Sequence, residues 1–261
     1  MASTPSESAF FDSDGVKIHY ETWGKGYPIL LVHGFAASIA INWVAPGWVD
    51  ALLPVRRVVA MDCRGHGLSG KPHEAAAYDG YKMEADVLNL MEHLGIGKAD
   101  LFGYSMGSFV ALGLLAHHPH RFSSVMLGGA GNVLEGLPPK AGQAISEALS
   151  ADDAASVKDP TGLAFRLFAS ADRNNDLKAL AACAGNPAPP IPASAFVDVD
   201  IPVLIVKGSD DDVTGDVGKT AETIPGARLL MIPGRDHLTV VGDQRFKGEV
   251  VTFLRQHSTE G

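Results

Sequence analysis

Ser105 lies in the run Gly103-Tyr104-Ser105-Met106-Gly107, where a short apolar stretch gives way to a helical pattern. A serine hydroxyl is a poor nucleophile at neutral pH. It becomes reactive when a histidine takes its proton and a carboxylate holds that histidine in one tautomer, and its attack on a carbonyl leaves an acyl-serine. Two glycines around one serine are weak evidence alone, but context strengthens them. A strand, a sharp turn and a helix pack closely around a strained residue only where glycines flank it, and that turn lifts the hydroxyl to the end of the sheet. Residues 99–104 (ADLFGY) supply the strand and residues 108–117 the helix.

The partners should lie downstream on strand-end loops, where open α/β sheets gather functional groups. Among ten histidines, His237 occupies the turn Pro233-Gly234-Arg235-Asp236-His237, after the apolar run 228–232 and before the amphipathic segment 244–256. The acid should end an earlier strand. Residues 202–207 (PVLIVK) lead into Gly208-Ser209-Asp210-Asp211-Asp212, and three adjacent carboxylates leave the choice open at this level. Other candidates have plainer readings. His117, His118 and His120 close a helix, where imidazole suits the carbonyl end, so no metal is expected there. His66 reads as fixing a tight turn, His33 as bracing its loop and Cys63 as an inert buried thiol.

Regular elements must hold these groups. Asp14-Gly15, between two β-rich segments of residues 10–20, predicts a hairpin. Residues 27–33, 57–62, 99–104, 125–127 and 202–207 are short, nearly unbroken apolar runs, the pattern of strands covered on both faces by helices. Residues 81–94 place Met83, Val87, Leu90, Met91 and Leu94 on one helical face, with Gly95 as a stop. The alternation predicts an α/β fold with a parallel sheet. Residues 132–199 interrupt it, with helix-like pieces at 141–149, 161–168 and 177–183 among Ala, Pro, Gly and Asp. Such a segment is too long for a connection and too broken for a second domain, so it is expected to pack over one edge of the sheet as a lid. Residues 1–9 are expected to form a loose tail, and residues 10–261 a single domain that includes the lid.

Composition narrows the class. With 46% apolar and 20% charged residues, the 261-residue chain can bury one substantial core. Its 21 Lys and Arg against 30 Asp and Glu give a net charge of −9, which argues against a nucleic-acid partner. The longest apolar runs, about six residues, fall far short of the ~18 to 20 that span a bilayer, so no membrane partner is expected. Residues 1–9 lack the cations and apolar run of a targeting peptide. Cys63 and Cys183, without CxxC spacing, read as free thiols in a reducing compartment, so a cytoplasmic location is expected.

Taken together, the chain resembles the α/β-hydrolase fold family. The residues that carry the resemblance are His33-Gly34-Phe35 after a strand, the run Asp62-Cys63-Arg64-Gly65-His66-Gly67-Leu68-Ser69, the Ser105 turn, Gly208-x-x-Asp after PVLIV, and a late histidine. They span residues 27–254. The resemblance implies a mostly parallel central sheet flanked by helices, with a small helical lid inserted after the sixth strand. It implies Ser105 as nucleophile, His237 as base and Asp211, three residues after Gly208, as the acid. Some members carry the acid after the preceding strand, but here that position reads Gly128-Gly129-Ala130-Gly131-Asn132, without a carboxylate. The oxyanion donors would be the backbone N–H groups of Phe35 and Met106, worth roughly 3 to 4 kcal/mol each.

Three positions depart from common family patterns: Ser108 where a third glycine is frequent, Gly215 where proline often closes the acid turn, and Arg235-Asp236 before the histidine. A serine at 105, instead of Asp or Cys, argues against haloalkane dehalogenase, epoxide hydrolase and dienelactone hydrolase chemistry. The expected activity is hydrolysis of carboxylic esters of small, largely apolar molecules, with water as co-substrate and no cofactor or metal. Trp43, Trp48, Leu137, Phe165 and Phe168 are candidates to line the acyl pocket. The alternatives are a lactonase, a carbon–carbon bond hydrolase with Arg166 and Arg173 of the lid as its candidate cations, a perhydrolase, and a slow-turnover ligand receptor.

Overall fold

The computed structural model describes residues 3–132, 139–187 and 189–257. β1 (Glu7–Ser13) and β2 (Val16–Trp23) pair antiparallel with Ser13 opposite Val16, leaving Asp14 and Gly15 as a two-residue turn at φ of 57° and 79°. Both residues must enter the left-handed region, which an Asp-Gly step tolerates. The Ser6 N–H donates to Thr22 O and β1 begins at Glu7, so Glu7, Ser8 and Ala9 belong to the sheet and not to the loose tail expected of them.

Strand and helix then alternate: β3 (Pro28–Val32), α1 (Trp48–Leu52), β4 (Arg57–Met61), α2 (Lys82–His93), β5 (Ala99–Tyr104), α3 (Met106–His117) and β6 (Phe122–Gly128). After β6 come three helices in succession, α4 (Pro139–Ser150), α5 (Pro160–Ser170) and α6 (Leu177–Ala184), before β7 (Val203–Gly208), α7 (Gly218–Thr223), β8 (Arg228–Ile232) and α8 (Gln244–Gln256). The eight strands form one sheet in the order β1-β2-β4-β3-β5-β6-β7-β8, antiparallel at β1, β2 and β4 and parallel from β4 onward.

The unbroken apolar runs are explained by burial on both faces. Leu30 and Leu101 face one core with Val87, Leu90 and Val110 of α2 and α3, while the neighbouring Leu31 and Phe102 face a second core with Trp48 of α1 and Phe246 of α8. Among the described residues no helix is long and apolar enough to cross a membrane.

The lid docks on the loop that follows β3. Ala36 packs with Ile145, Leu149, Ala169 and Leu180, and Asn175 Nδ2 donates to Ala36 O at 3.0 Å. Its helices start where the sequence provides caps: Asp159 accepts from the Gly162 N–H with Pro160 in the first turn, and Asp176 accepts from the Lys178 and Ala179 N–H groups.

The run from Asp62 to Ser69 acts as a brace. Asp62 accepts from the Ile39 and Leu68 N–H groups and pairs with His19 Nδ1 at 2.8 Å. Burial would raise its carboxyl, but the His19 bond, the neighbouring His33 and the two N–H donors outweigh burial and hold it below the usual range. Gly67 has to be glycine, since a Cβ there would lie 2.2 Å from Asp62 Cγ. Arg64 grips Asp86 through Nε and Nη2 at 2.7 and 2.6 Å, tying this loop to α2.

Candidate active site

Ser105 caps the N-terminus of α3 with φ 53° and ψ −114°, a strained conformation for a residue with a side chain. The surrounding glycines permit it. A Cβ at Gly103 would lie 2.0 Å from Gly107 O, and one at Gly107 would lie 2.0 Å from Val32 O, so β3, β5 and α3 meet here at backbone distance. Ser108, in the place where a third glycine was the commoner expectation, is buried and has its Oγ 2.9 Å from Gly103 O and 2.8 Å from Gly128 O. Its hydroxyl clamps the turn to β5 and β6.

His237 Nε2 lies 2.9 Å from Ser105 Oγ, and His237 Nδ1 lies 2.8 Å from Asp211 Oδ2. The structure thus brings together the three side chains singled out in the sequence and chooses among the three carboxylates. Asp211 is buried, whereas Asp210 is exposed and bonded to Ser209 Oγ, and Asp212 is exposed. The Asp211 carboxylate also accepts from the Val213 and Thr214 N–H groups and from Thr214 Oγ1. Burial pushes this carboxyl up. The His237 bond and charge, then Lys207 and the Thr214 N–H, more than offset that and hold it below its ordinary value.

The loops carrying Asp211 and His237 are laced together. Ser209 N–H donates to Ile232 O and Asp210 N–H to Arg235 O, and a Cβ on Gly208 would lie 2.0 Å from Arg235 O. Tyr104, beside Ser105, donates its hydroxyl to His237 O. Asp236 accepts from the Leu238 and Thr239 N–H groups, and Arg235 pairs with Asp243, the N-cap of α8. The unusual Arg235-Asp236 pair therefore fixes the turn that presents His237.

On the opposite side, the loop after β3 turns back on itself, with the Ala37 N–H donating to Gly34 O and Ala36 at φ 56°. Asn42 Oδ1 accepts from the Gly34 N–H at 3.0 Å, and no described residue accepts from the Phe35 N–H. His33 is neutral by its bonding. Its Nε2 accepts from the Cys63 N–H at 3.0 Å, so Nδ1 carries the proton donated to Gly34 O at 2.7 Å, and burial holds the ring below the usual histidine range. Met106 contributes the first N–H of α3, at the positive end of the helix dipole. Phe35, Ser105 and Met106 line one cavity.

Two cavities meet at Ser105, of about 1100 Å³ and about 370 Å³. Phe35, Ala164, Phe165 and Val213 line both, His237 and Asn42 only the smaller, and Met106, Phe109 and Glu84 only the larger. No Lys or Arg occurs among the described lining residues of either. Among the described residues no cluster of His, Cys, Asp or Glu could hold a metal ion.

Residues 27–165, more than half of the chain, match the family described as alpha/beta hydrolase fold. The chain belongs to the α/β-hydrolase fold family. This hydrolase is 29% identical over 289 residues to the non-heme chloroperoxidase CPO-A1 of Kitasatospora aureofaciens, covering 93% of this chain and 98% of that one. Among solved structures, the enol-lactonase of Burkholderia xenovorans superposes with a TM-score of 0.80 at 24% identity, covering 95% of this chain and all of that one. The esterase RhEst1 of a Rhodococcus species gives 0.72 at 25% identity, covering 97% and 99%.

The pocket residues expected in the hydrolase divide. Phe165 lines both cavities, edge-to-face with Phe35 at 5.8 Å, and Phe168 lines the smaller. Trp43 and Trp48 line neither. They are fully buried in the second core, Trp48 at the start of α1, against Phe102 of β5 at 4.9 and 4.8 Å, because the sheet face there is apolar and unbroken. Leu137 lies outside the described residues. Arg166 of the lid donates to Ala148 O and Leu149 O and reaches neither cavity. Glu84 and Lys207 were not read from the sequence as site residues, although a carboxylate on the buried stripe of α2 and a lysine ending an apolar strand were visible signals.

Proposed function

We propose that the protein is a serine hydrolase that cleaves carboxylic esters of small, largely apolar molecules through an acyl-enzyme. The observation that carries this reading is the continuous contact from Asp211 through His237 to Ser105, at 2.8 and 2.9 Å. His237 Nε2 takes the Ser105 proton as Oγ bonds to the substrate carbonyl carbon. The carbonyl electron pair moves onto oxygen, facing the Phe35 and Met106 N–H groups. Collapse breaks the bond to the alcohol oxygen, which leaves with the proton from His237. Water then repeats the sequence on the acyl-serine, so ester and water give acid and alcohol, and Ser105 is restored. Asp211 keeps its charge throughout and stabilises the imidazolium.

A lactone is an ester whose alcohol stays tethered, and the same steps open it. Carbon–carbon cleavage of an acidic substrate is disfavoured by cavities lined by no described Lys or Arg. Both cysteines are free and buried, which suits a cytoplasmic enzyme. The test is a side-by-side rate comparison on p-nitrophenyl butyrate, a γ-lactone and a keto-dienoate. Ester turnover well above the keto-dienoate rate supports the reading. Keto-dienoate turnover above that of both esters would overturn it.

A further inference from the structure

We propose that Glu84 reads the far end of the acyl group, so that the preferred substrates are esters of medium-chain acids carrying a hydroxyl or ammonium about eight to ten carbons from the carbonyl. This inference rests on the ester-hydrolase reading above.

Glu84 is 5% exposed and lines the larger cavity alongside Met83, Phe109 and Val110. Its Oε2 accepts from His117 Nδ1 at 3.0 Å, while Oε1 has no hydrogen-bond partner among the described residues and is not one of the atoms sealed away from solvent. Helix α3 makes the room for it: a Cβ on Gly113 would stand 1.8 Å from Oε1. A glycine inside a helix is unfavourable relative to alanine, so α3 carries a local cost at the position that faces this carboxylate. Burial pushes the Glu84 carboxyl up, against the bond and charge of His117. A ligand donor at Oε1 would relieve that penalty.

The spacing follows from the helix. Gly113 lies eight residues along α3 from Ser105, about 12 Å at the usual rise. Met106, Phe109 and Val110 lie between them and line the cavity, an apolar track for an alkyl chain. With carbon–carbon bonds of about 1.5 Å, an extended chain covers that distance in roughly nine bonds. Asp212 and Asp216 also line this cavity, and no described Lys or Arg does, so a terminal carboxylate meets like charge without a partner.

The experiment measures kcat and KM for methyl decanoate, methyl 10-hydroxydecanoate, methyl 10-aminodecanoate and monomethyl sebacate. Methyl ω-hydroxy esters of six, eight and twelve carbons complete the set, tested on wild type, Glu84→Gln and Glu84→Leu. Wild type should show KM for the hydroxy and amino esters about five-fold below that for methyl decanoate, the yield of one net hydrogen bond. The advantage should peak at eight to ten carbons, and monomethyl sebacate should be the poorest substrate. Glu84→Leu should raise the hydroxy-to-plain KM ratio to one or above, and Glu84→Gln should lose the ammonium preference. Equal or better KM for methyl decanoate in wild type, with no length optimum, overturns the inference without any variant having to fold, and so does a preference that persists in Glu84→Leu. If Ser105 takes up a fluorophosphonate but no methyl ester is turned over, the ester reading falls and this inference with it. Ester turnover without a terminal-group preference overturns this inference alone.

Discussion

Lys207 Nζ stands 3.8 Å from Asp211 Oδ1 in a side chain that is almost wholly buried, and it donates to Thr214 Oγ1 at 2.8 Å and to Gly215 O at 2.6 Å. Lysine is seldom buried without a partner. Here it ties the end of β7 to the close of the turn that carries Asp211, at the place where proline was the commoner expectation and Gly215 occurs at φ 69°. Replacing it by methionine should cost about 1 to 3 kcal/mol in stability, because two acceptors lose their donor. Loosening Asp211 should also cut kcat/KM by about ten-fold. Urea denaturation and initial rates on p-nitrophenyl butyrate check both; a Lys207→Met protein with wild-type values would make the cation incidental.

The close approach of the two loops gives a sharper expectation. Gly208→Ala introduces a Cβ 2.0 Å from the Arg235 carbonyl oxygen, a backbone atom that cannot swing away. Acid and base must separate, and a displacement near 1 Å at such a site lowers kcat by about a hundred-fold. Gly242→Ala, where a Cβ meets nothing within 4 Å, is the control that should keep most of its activity. Comparing the two rates checks the account of the loops.

The choice among three adjacent carboxylates is testable directly. Asp211→Asn should lower kcat by about 10³ to 10⁴, since an amide cannot stabilise the imidazolium, while Asp210→Asn should stay within about two-fold of wild type. A larger loss in Asp210→Asn than in Asp211→Asn would reverse the assignment.

Much of this was legible in the sequence because it is local. The glycines around Ser105 and the Asp14-Gly15 step demand particular backbone angles, and those demands are met where the residue types put them. The double-sided burial of Leu30 and Leu31 was likewise written in an unbroken apolar run. Asp211 was legible only through the family resemblance, because what separates it from Asp210 and Asp212 is the contact with His237, which arrives from a loop 26 residues away. Trp43 misled because an aromatic residue in a loop can face a cavity or a sheet, and only the position of Phe102 decides. Glu84 falls on the stripe with Val87 and Met91, where a helical pattern reads as core. What marks it is the glycine at 113 on another helix, a relation that no local pattern contains.

Stability should depend on pH through buried histidines. Burial, reinforced by His33, holds the fully buried His66 neutral down to about 3, well below its ordinary 6.5. His33 shifts the same way, through burial. The unfolded chain therefore binds more protons than the folded one between those values. The contribution is complete above pH 6.5 and is lost as pH falls from there toward about 3, by up to about 1.4 kcal/mol per pH unit for each proton. Urea denaturation at pH 7, 6 and 5 should show this fall, and a shallower slope in His66→Gln; identical slopes would contradict the assignment.

The central claim is that Ser105 is the nucleophile, and intact-mass analysis after fluorophosphonate treatment tests it most directly. Wild type should gain one label and lose hydrolysis of p-nitrophenyl butyrate in proportion, while Ser105→Ala, folded to the same urea midpoint, should take up no label and show no turnover. Labelling or turnover retained by Ser105→Ala would contradict the account.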